Sequence, residues 1–286
     1  MISIRHAPGA APGSPALRQR SPPPPGATDC HAHVFGPFAK FPLARECVYT
    51  PPELPAERYI GMLDELGFSR GVLIQPIAHG TDCGALLHAL SSYPERLRGI
   101  ALIGPDVTDA ELEAMNRMGV RGARFSRPPD HLASTGTIAL DALPILAPRM
   151  AELGWHAEIF TFCDHLVAIA PKLTALGLPI VVDHLAMLDP ARGVDDAAFK
   201  ELLRLLAAGR LWLKLTAYRL SSRYPDYEDL RPFHEAVLGA NPERLIWGSD
   251  WPHIHVAANP PRTAHLVELF ERWTGDEALR RRILVD

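Results

Sequence analysis

The chain has 286 residues, 47% hydrophobic and 22% charged, with a formal net charge of -4. That length builds one α/β barrel without requiring a second domain, and the acidic balance argues against a nucleic-acid partner, which favours a basic face. No apolar run is long enough to span a membrane, and Cys30, Cys47, Cys83 and Cys163 have neither CxxC spacing nor a disulfide framework, so they read as reduced thiols of a cytoplasmic protein.

Residues 1–26 end in Pro22–Pro25 and read as a flexible Pro-rich lead-in, leaving 27–286 for the barrel. The first strand is expected in ATDCHAHV, Ala27–Val34. Side chains two apart in a strand share a face, so Asp29, His31 and His33 should line one side, the histidines at the exit. Six prolines and glycines punctuate the long connection from Val34 to Pro55, which excludes a continuous helix and suggests a substrate wall. Tyr49, with its polar tip, is the first candidate there to touch a ligand.

Strands and helices then alternate. A helix at Ala56–Leu66 precedes the strand RGVLIQP; a helix in TDCGALLHALSSY precedes LRGIALIGP; Thr108 and Glu111 form a capping box opening a third helix. VRGARF, a helix near Leu143–Leu153, WHAEIFT, a helix near Asp164–Leu176 and IVVDHLA follow. Asp195–Ala208, LWLKLTA, Tyr227–Leu238 and RLIWGSDW complete eight β/α units, and a closed (β/α)8 TIM barrel is the natural reading.

In such a barrel the face toward the helices is apolar and reactive groups gather at the C-terminal strand ends. The alternation in LWLKLTA turns Leu211, Leu213 and Leu215 outward and Trp212, Lys214 and Thr216 inward. By the same phase Glu158, Phe160 and Arg124 point into the lumen, while His184 and Asp250 stand at strand exits.

HxH after the first strand, a His after the sixth and an Asp after the eighth resemble the amidohydrolase superfamily. The segments PPPGATDCHAHVFGP, HGTD at His79–Asp82, RGARF, KLTAYRLS and RLIWGSDWPH resemble, more narrowly, the pyrone-dicarboxylate, sugar-lactone and muconolactone hydrolases. That resemblance implies a hydrolase opening the lactone of a small carboxylic acid. Asp250 would take the proton of the attacking water, and His31, His33 and His184 would polarise the carbonyl, without a metal. His79 matches a substrate-contacting position. Arg124, Arg127 and Arg219 are candidates to bind substrate carboxylates by forked hydrogen bonds.

The alternative is a single divalent ion, most suitably zinc, on His31, His33 and Asp250, with or without His184. It would serve a metal-dependent decarboxylase or lactone isomerase on the same scaffold. Arg124 on the fourth strand opposes a dinuclear cluster. Phe160, Ile77 and the run Ala186-Met187-Leu188 replace polar residues of the pyrone pattern, pointing to a less polar or singly charged lactone. A homo-oligomer is compatible with the chain.

Overall fold

The computed structural model describes residues 22–45, 47, 49–127, 137–216, 218–254 and 260–286. Eight strands pair in parallel and in chain order: β1 (Thr28–Ala32), β2 (Arg70–Ile74), β3 (Leu97–Ala101), β4 (Val120–Arg127), β5 (His156–Thr161), β6 (Ile180–Val182), β7 (Trp212–Leu215) and β8 (Leu245–Trp247). Beyond β8 the chain returns to β1. Asp250 N donates to the His31 carbonyl and His33 N to the Trp251 carbonyl, each at 2.8 Å, so the barrel is nearly closed.

Around it lie α1 (Ala56–Leu66), α2 (Gly84–Ser92), α3 (Asp109–Arg117), α4 (Leu143–Glu152), α5 (Cys163–Thr174), α6 (Ala197–Ala207), α7 (Arg231–Ala240), α8 (Thr263–Thr274) and α9 (Glu277–Leu284). Local chemistry sets their ends. At α3 the expected capping box forms, Glu111 N donating to Thr108 Oγ1 at 3.2 Å and Thr108 N to Glu111 Oε2 at 2.8 Å. In α6 the buried residues Ala198, Phe199, Leu202, Leu205 and Leu206 recur at helical spacing. They pack in one hydrophobic cluster with Ile180 and Val182 of β6 and Leu213 and Leu215 of β7. Each such Leu or Ile contributes about 1.5–3 kcal/mol by burial. Hydrophobic stabilisation therefore lives between sheet and helices, leaving the lumen for polar groups.

Several boundaries depart from expectation. Strand β6 stops at Val182, and His184, Leu185, Ala186 and Met187 after it all have positive φ, 48°, 50°, 57° and 44°. A left-handed turn, not strand, therefore carries His184. Helix α7 begins at Arg231 rather than Tyr227, because Pro232 is tolerated only in a first turn. Helices α8 and α9 extend the ring past the eighth strand, where no element was expected. At the start, Gly26 N donates to Ser69 Oγ at 3.1 Å and Pro23 is buried, so the end of the expected flexible lead-in packs on the barrel; residues 1–21 lie outside the described residues. All four cysteines are free thiols. Among the described residues no helix is long and apolar enough to cross a membrane.

Candidate active site

β1 carries a bulge that redirects its side chains. Thr28 and Asp29 pair with Arg70 and Gly71, but Ala32 pairs with Leu73, one residue out of step. The Asp29 carboxylate makes the turn, accepting from His31 N at 3.2 Å. Its remaining bonds come from Tyr59 of α1, through the hydroxyl at 3.1 Å, and from Ser249 N at 2.8 Å and Ser249 Oγ at 2.6 Å. Asp29 thus serves the helix side of β1 and ties β1 to the segment after β8. The expectation that it shares a face with His31 and His33 fails because of the bulge. Burial pushes its pKa up to about 6 against these bonds.

His31 and His33 reach the mouth as expected, both buried. Their Nε2 atoms lie 3.6 and 3.4 Å from Asp250 Oδ1. The glycine after β8 permits this closeness: a Cβ on Gly248 would lie 2.5 Å from His31 Cβ. His33 Nδ1 sits 2.8 Å from the Ile74 carbonyl; a carbonyl only accepts, so Nδ1 carries hydrogen, which in a neutral imidazole leaves the lone pair on Nε2.

Asp250, at φ 58°, turns Oδ2 toward β7's exit. There Tyr218 Oη donates at 2.6 Å and Arg219 Nε at 2.9 Å, with Arg219 Nη2 also in contact. Burial alone would raise this carboxyl, but Arg219 and His184 outweigh it and hold it well below the usual carboxylate range. Oδ1 has no hydrogen-bond partner; the same is true of His31 Nε2 and of both His184 nitrogens. The His31 and His184 rings stand 4.6 Å apart.

Beneath His31 lies a buried charge network. Lys214 Nζ is 3.2 Å from His31 Nδ1 and 3.3 Å from Asp183 Oδ1, and contacts Glu158 Oε2. Arg124 donates to Asp183 Oδ2 from Nε at 2.8 Å, and its Nη2 is 2.8 Å from the same oxygen. Burial, then Asp183, pushes Glu158 up to about 7. For Asp183 burial is outweighed by Arg124 and Lys214, which hold it well down; for Lys214 it is outweighed by Glu158 and Asp183, which keep the ammonium protonated. Burial, then Lys214, pushes His31 down to about 3, so its ring is neutral near pH 7.

The substrate-binding candidates divide. Arg124 lies inside, its guanidinium 4.9 Å from the Phe160 ring and bound to Asp183. Arg219 is engaged with Asp250. Tyr49 has a backbone hydrogen bond with Ala78, and burial pushes its phenol up to about 12 while Arg124 and Arg219 act the other way. His79 is one ring removed from the histidine pair, stacked on Phe35 at 6.3 Å, with Nδ1 2.9 Å from the Pro42 carbonyl. The Arg127 side chain lies outside the described residues. Asp183 and Tyr218 were not anticipated. Strand phase could have found Asp183: Ile180 and Val182 face the helices, so Val181 and Asp183 face the lumen.

As to a metal, ligand atoms of His31, His184 and Asp250 lie within 4.8 Å of one another, all buried. Their orphaned nitrogens and oxygen suit one divalent ion in donor type and reach. His184, rather than His33, completes that set. The second such group, His31, Glu158 and Asp183, already surrounds the Lys214 ammonium and does not fit an added dication.

A nearly closed ring of parallel strands with histidines from the first and sixth and an aspartate past the eighth defines an amidohydrolase-type barrel. The chain belongs to the amidohydrolase family, whose model matches residues 28–286. It is similar to the 4-sulfomuconolactone hydrolase of Hydrogenophaga intermedia, 35% identical over 92% of this chain and 87% of that one. It is also similar to the 2-pyrone-4,6-dicarboxylate hydrolase of Comamonas testosteroni, 34% identical over 92% and 88%. Among solved structures, a probable 2-pyrone-4,6-dicarboxylic acid hydrolase of Acinetobacter baumannii with citric acid bound superposes with a TM-score of 0.77, at 28% identity over 91% of this chain and 96% of that one.

Proposed function

We propose that the protein is a cytoplasmic hydrolase that opens the lactone of a small carboxylic acid. One observation carries the reading: Asp250 Oδ1, His31 Nε2 and His184 are buried, adjacent and without hydrogen-bond partners, an arrangement whose desolvation cost a bound reactant and its water offset. The lactone hydrolases among its relatives supply the reaction class.

In this reading water lies against Asp250 Oδ1, held there because Tyr218 and Arg219 occupy Oδ2. As water attacks the carbonyl carbon its proton passes to Asp250, while His31 and His184 donate to the developing oxyanion. When the ring C–O bond breaks, the proton moves from Asp250 to the departing oxygen, giving a hydroxy acid. His33, its Nδ1 hydrogen fixed on Ile74, accepts at Nε2 when neutral and donates only when protonated, so its part is to orient water rather than to polarise the carbonyl. Tyr49 and His79 are the candidates for the substrate wall, since Arg124 and Arg219 are engaged with Asp183 and Asp250. Phe160, edge-on to His184, makes that wall partly apolar, which favours a singly charged lactone.

A divalent ion on His31, His184 and Asp250 would add Lewis-acid polarisation of the carbonyl. That set also suits the alternative, a metal-dependent decarboxylase or lactone isomerase. The experiment is a lactone panel read by proton release, run on protein purified without added ions and analysed for metal. Ring opening by metal-free protein supports the proposal. Ring opening only with stoichiometric metal assigns the ion a part in the hydrolysis, whereas isomerisation or release of carbon dioxide without ring opening overturns the proposal.

A further inference from the structure

His31 Nδ1 stands between two groups that ask opposite things of it. Lys214 Nζ, 3.2 Å away, satisfies hydrogen-bond geometry; Asp183 Oδ1, 3.3 Å away, competes for the same nitrogen as a hydrogen-bond acceptor. An ammonium has three donors and no acceptor, whereas a carboxylate only accepts. If Lys214 prevails, Nδ1 holds the lone pair and the ring hydrogen lies on Nε2. If Asp183 prevails, the tautomer is reversed.

We propose that Lys214 is a positioning residue that fixes His31 as its Nε2–H tautomer by donating to Nδ1, so that the two histidines of the HxH pair are held in opposite tautomers. His33 is held the other way by the Ile74 carbonyl. The β7 ammonium is itself anchored by Glu158 and Asp183, so it cannot turn to another acceptor without leaving two buried carboxylates short of a cation. Its side chain is 2% exposed, away from bulk solvent.

The division has a chemical consequence that rests on the lactone-hydrolase reading. His31 Nε2, the orphaned atom facing Asp250 and His184, becomes a neutral donor aimed where an oxyanion forms. His33 Nε2 becomes an acceptor beside Asp250 Oδ1, where water must bind. One motif thus supplies an electrophilic and a water-orienting ring, and Lys214, which touches neither reactant, determines which is which. An ion on His31, His184 and Asp250 would require the opposite tautomer of His31, with Nδ1–H donated to Asp183.

The test is heteronuclear NMR of the full-length, metal-stripped protein labelled with 15N-histidine at neutral pH, His31 being assigned by loss of its signals in His31→Gln. The expected spectrum gives Nδ1 the shift of a bare nitrogen and Nε2 that of a protonated one, with His33 reversed. In Lys214→Met, His31 is expected to flip to the Nδ1–H form, Asp183 becoming its acceptor. A wild-type His31 protonated on Nδ1 overturns the proposal, as does an unchanged tautomer in Lys214→Met. Should that variant fail to fold, the wild-type spectrum alone decides. Because no substrate is present, this outcome is independent of the lactone panel: the tautomer can stand with no lactone opened, and ring opening can be found with the tautomer reversed.

Discussion

Arg219 and Asp250 form a directed pair in which the guanidinium takes one carboxylate oxygen and leaves the other for the site. Nε and Nη2 of Arg219 both address Oδ2, joined by the Tyr218 hydroxyl, while Oδ1 faces His31 and His33. The Asp250→Asn variant keeps the shape and the ring contacts but has no carboxylate to take a proton. Loss of a positioned general base lowers turnover about 100- to 10,000-fold. The expected outcome is that loss with an unchanged far-ultraviolet circular dichroism spectrum; unchanged turnover removes Asp250 from the mechanism.

The junction of β1 and β8 should be equally intolerant, for steric reasons. A Cβ on Gly248 meets His31 Cβ at 2.5 Å, the His31 backbone N at 2.9 Å and its Cα at 3.2 Å, and backbone atoms cannot swing aside as a flexible side chain can. Gly248→Ala is expected to cost about 1–3 kcal/mol through overpacking and to displace the His31 ring. A lower urea midpoint together with reduced turnover is the signature. A stable variant with full activity would show that β1 has room to move.

Much of this arrangement is legible in the sequence. Leu211, Leu213 and Leu215 alternate with Trp212, Lys214 and Thr216, and the structure puts the first set in the helix-facing core and buries Lys214 and Thr216. The positions of His31, Asp250 and Glu158 follow from the same alternation. What periodicity cannot give is a change of phase. Asp29 leaves its expected face because of a one-residue bulge, and His184 enters the lumen although it is one residue out of step with Asp183, because four successive residues take positive φ. Nor does period two reveal pairing: that Arg219 binds Asp250 rather than standing free for a ligand depends on contacts 31 residues apart in the chain.

Arg124 offers a test of the buried network. With Lys214 it faces two acids, Asp183 and Glu158, and only 8% of its surface is exposed. Removing one member of a buried ion group strands its partner, at a cost of about 3–5 kcal/mol. Arg124→Met is therefore expected to lower the urea midpoint strongly even without substrate. A purely substrate-binding arginine would instead raise KM and leave stability alone.

Acid sensitivity of the fold provides the last test, through a histidine outside the site. His234 on α7 is buried, with Nε2 3.1 Å from Thr274 Oγ1, and burial lowers its pKa from 6.5 to about 4. Above pH 6.5 neither the folded nor the unfolded chain protonates this ring, and its neutral form contributes fully. As pH falls toward 4 the unfolded chain takes up the proton while the folded one does not, so stability declines through that window and levels off below it. The shift corresponds to about 3 kcal/mol at 1.36 kcal/mol per pKa unit. His234→Gln, which retains a polar partner for Thr274, is expected to lessen the fall in unfolding free energy between pH 6.5 and 4 by about that amount. Urea unfolding across this range reads the difference directly. Parallel curves for the two proteins would mean that His234 is protonated in the folded state as readily as in the unfolded one, and that its burial between α7 and α8 is not maintained in solution.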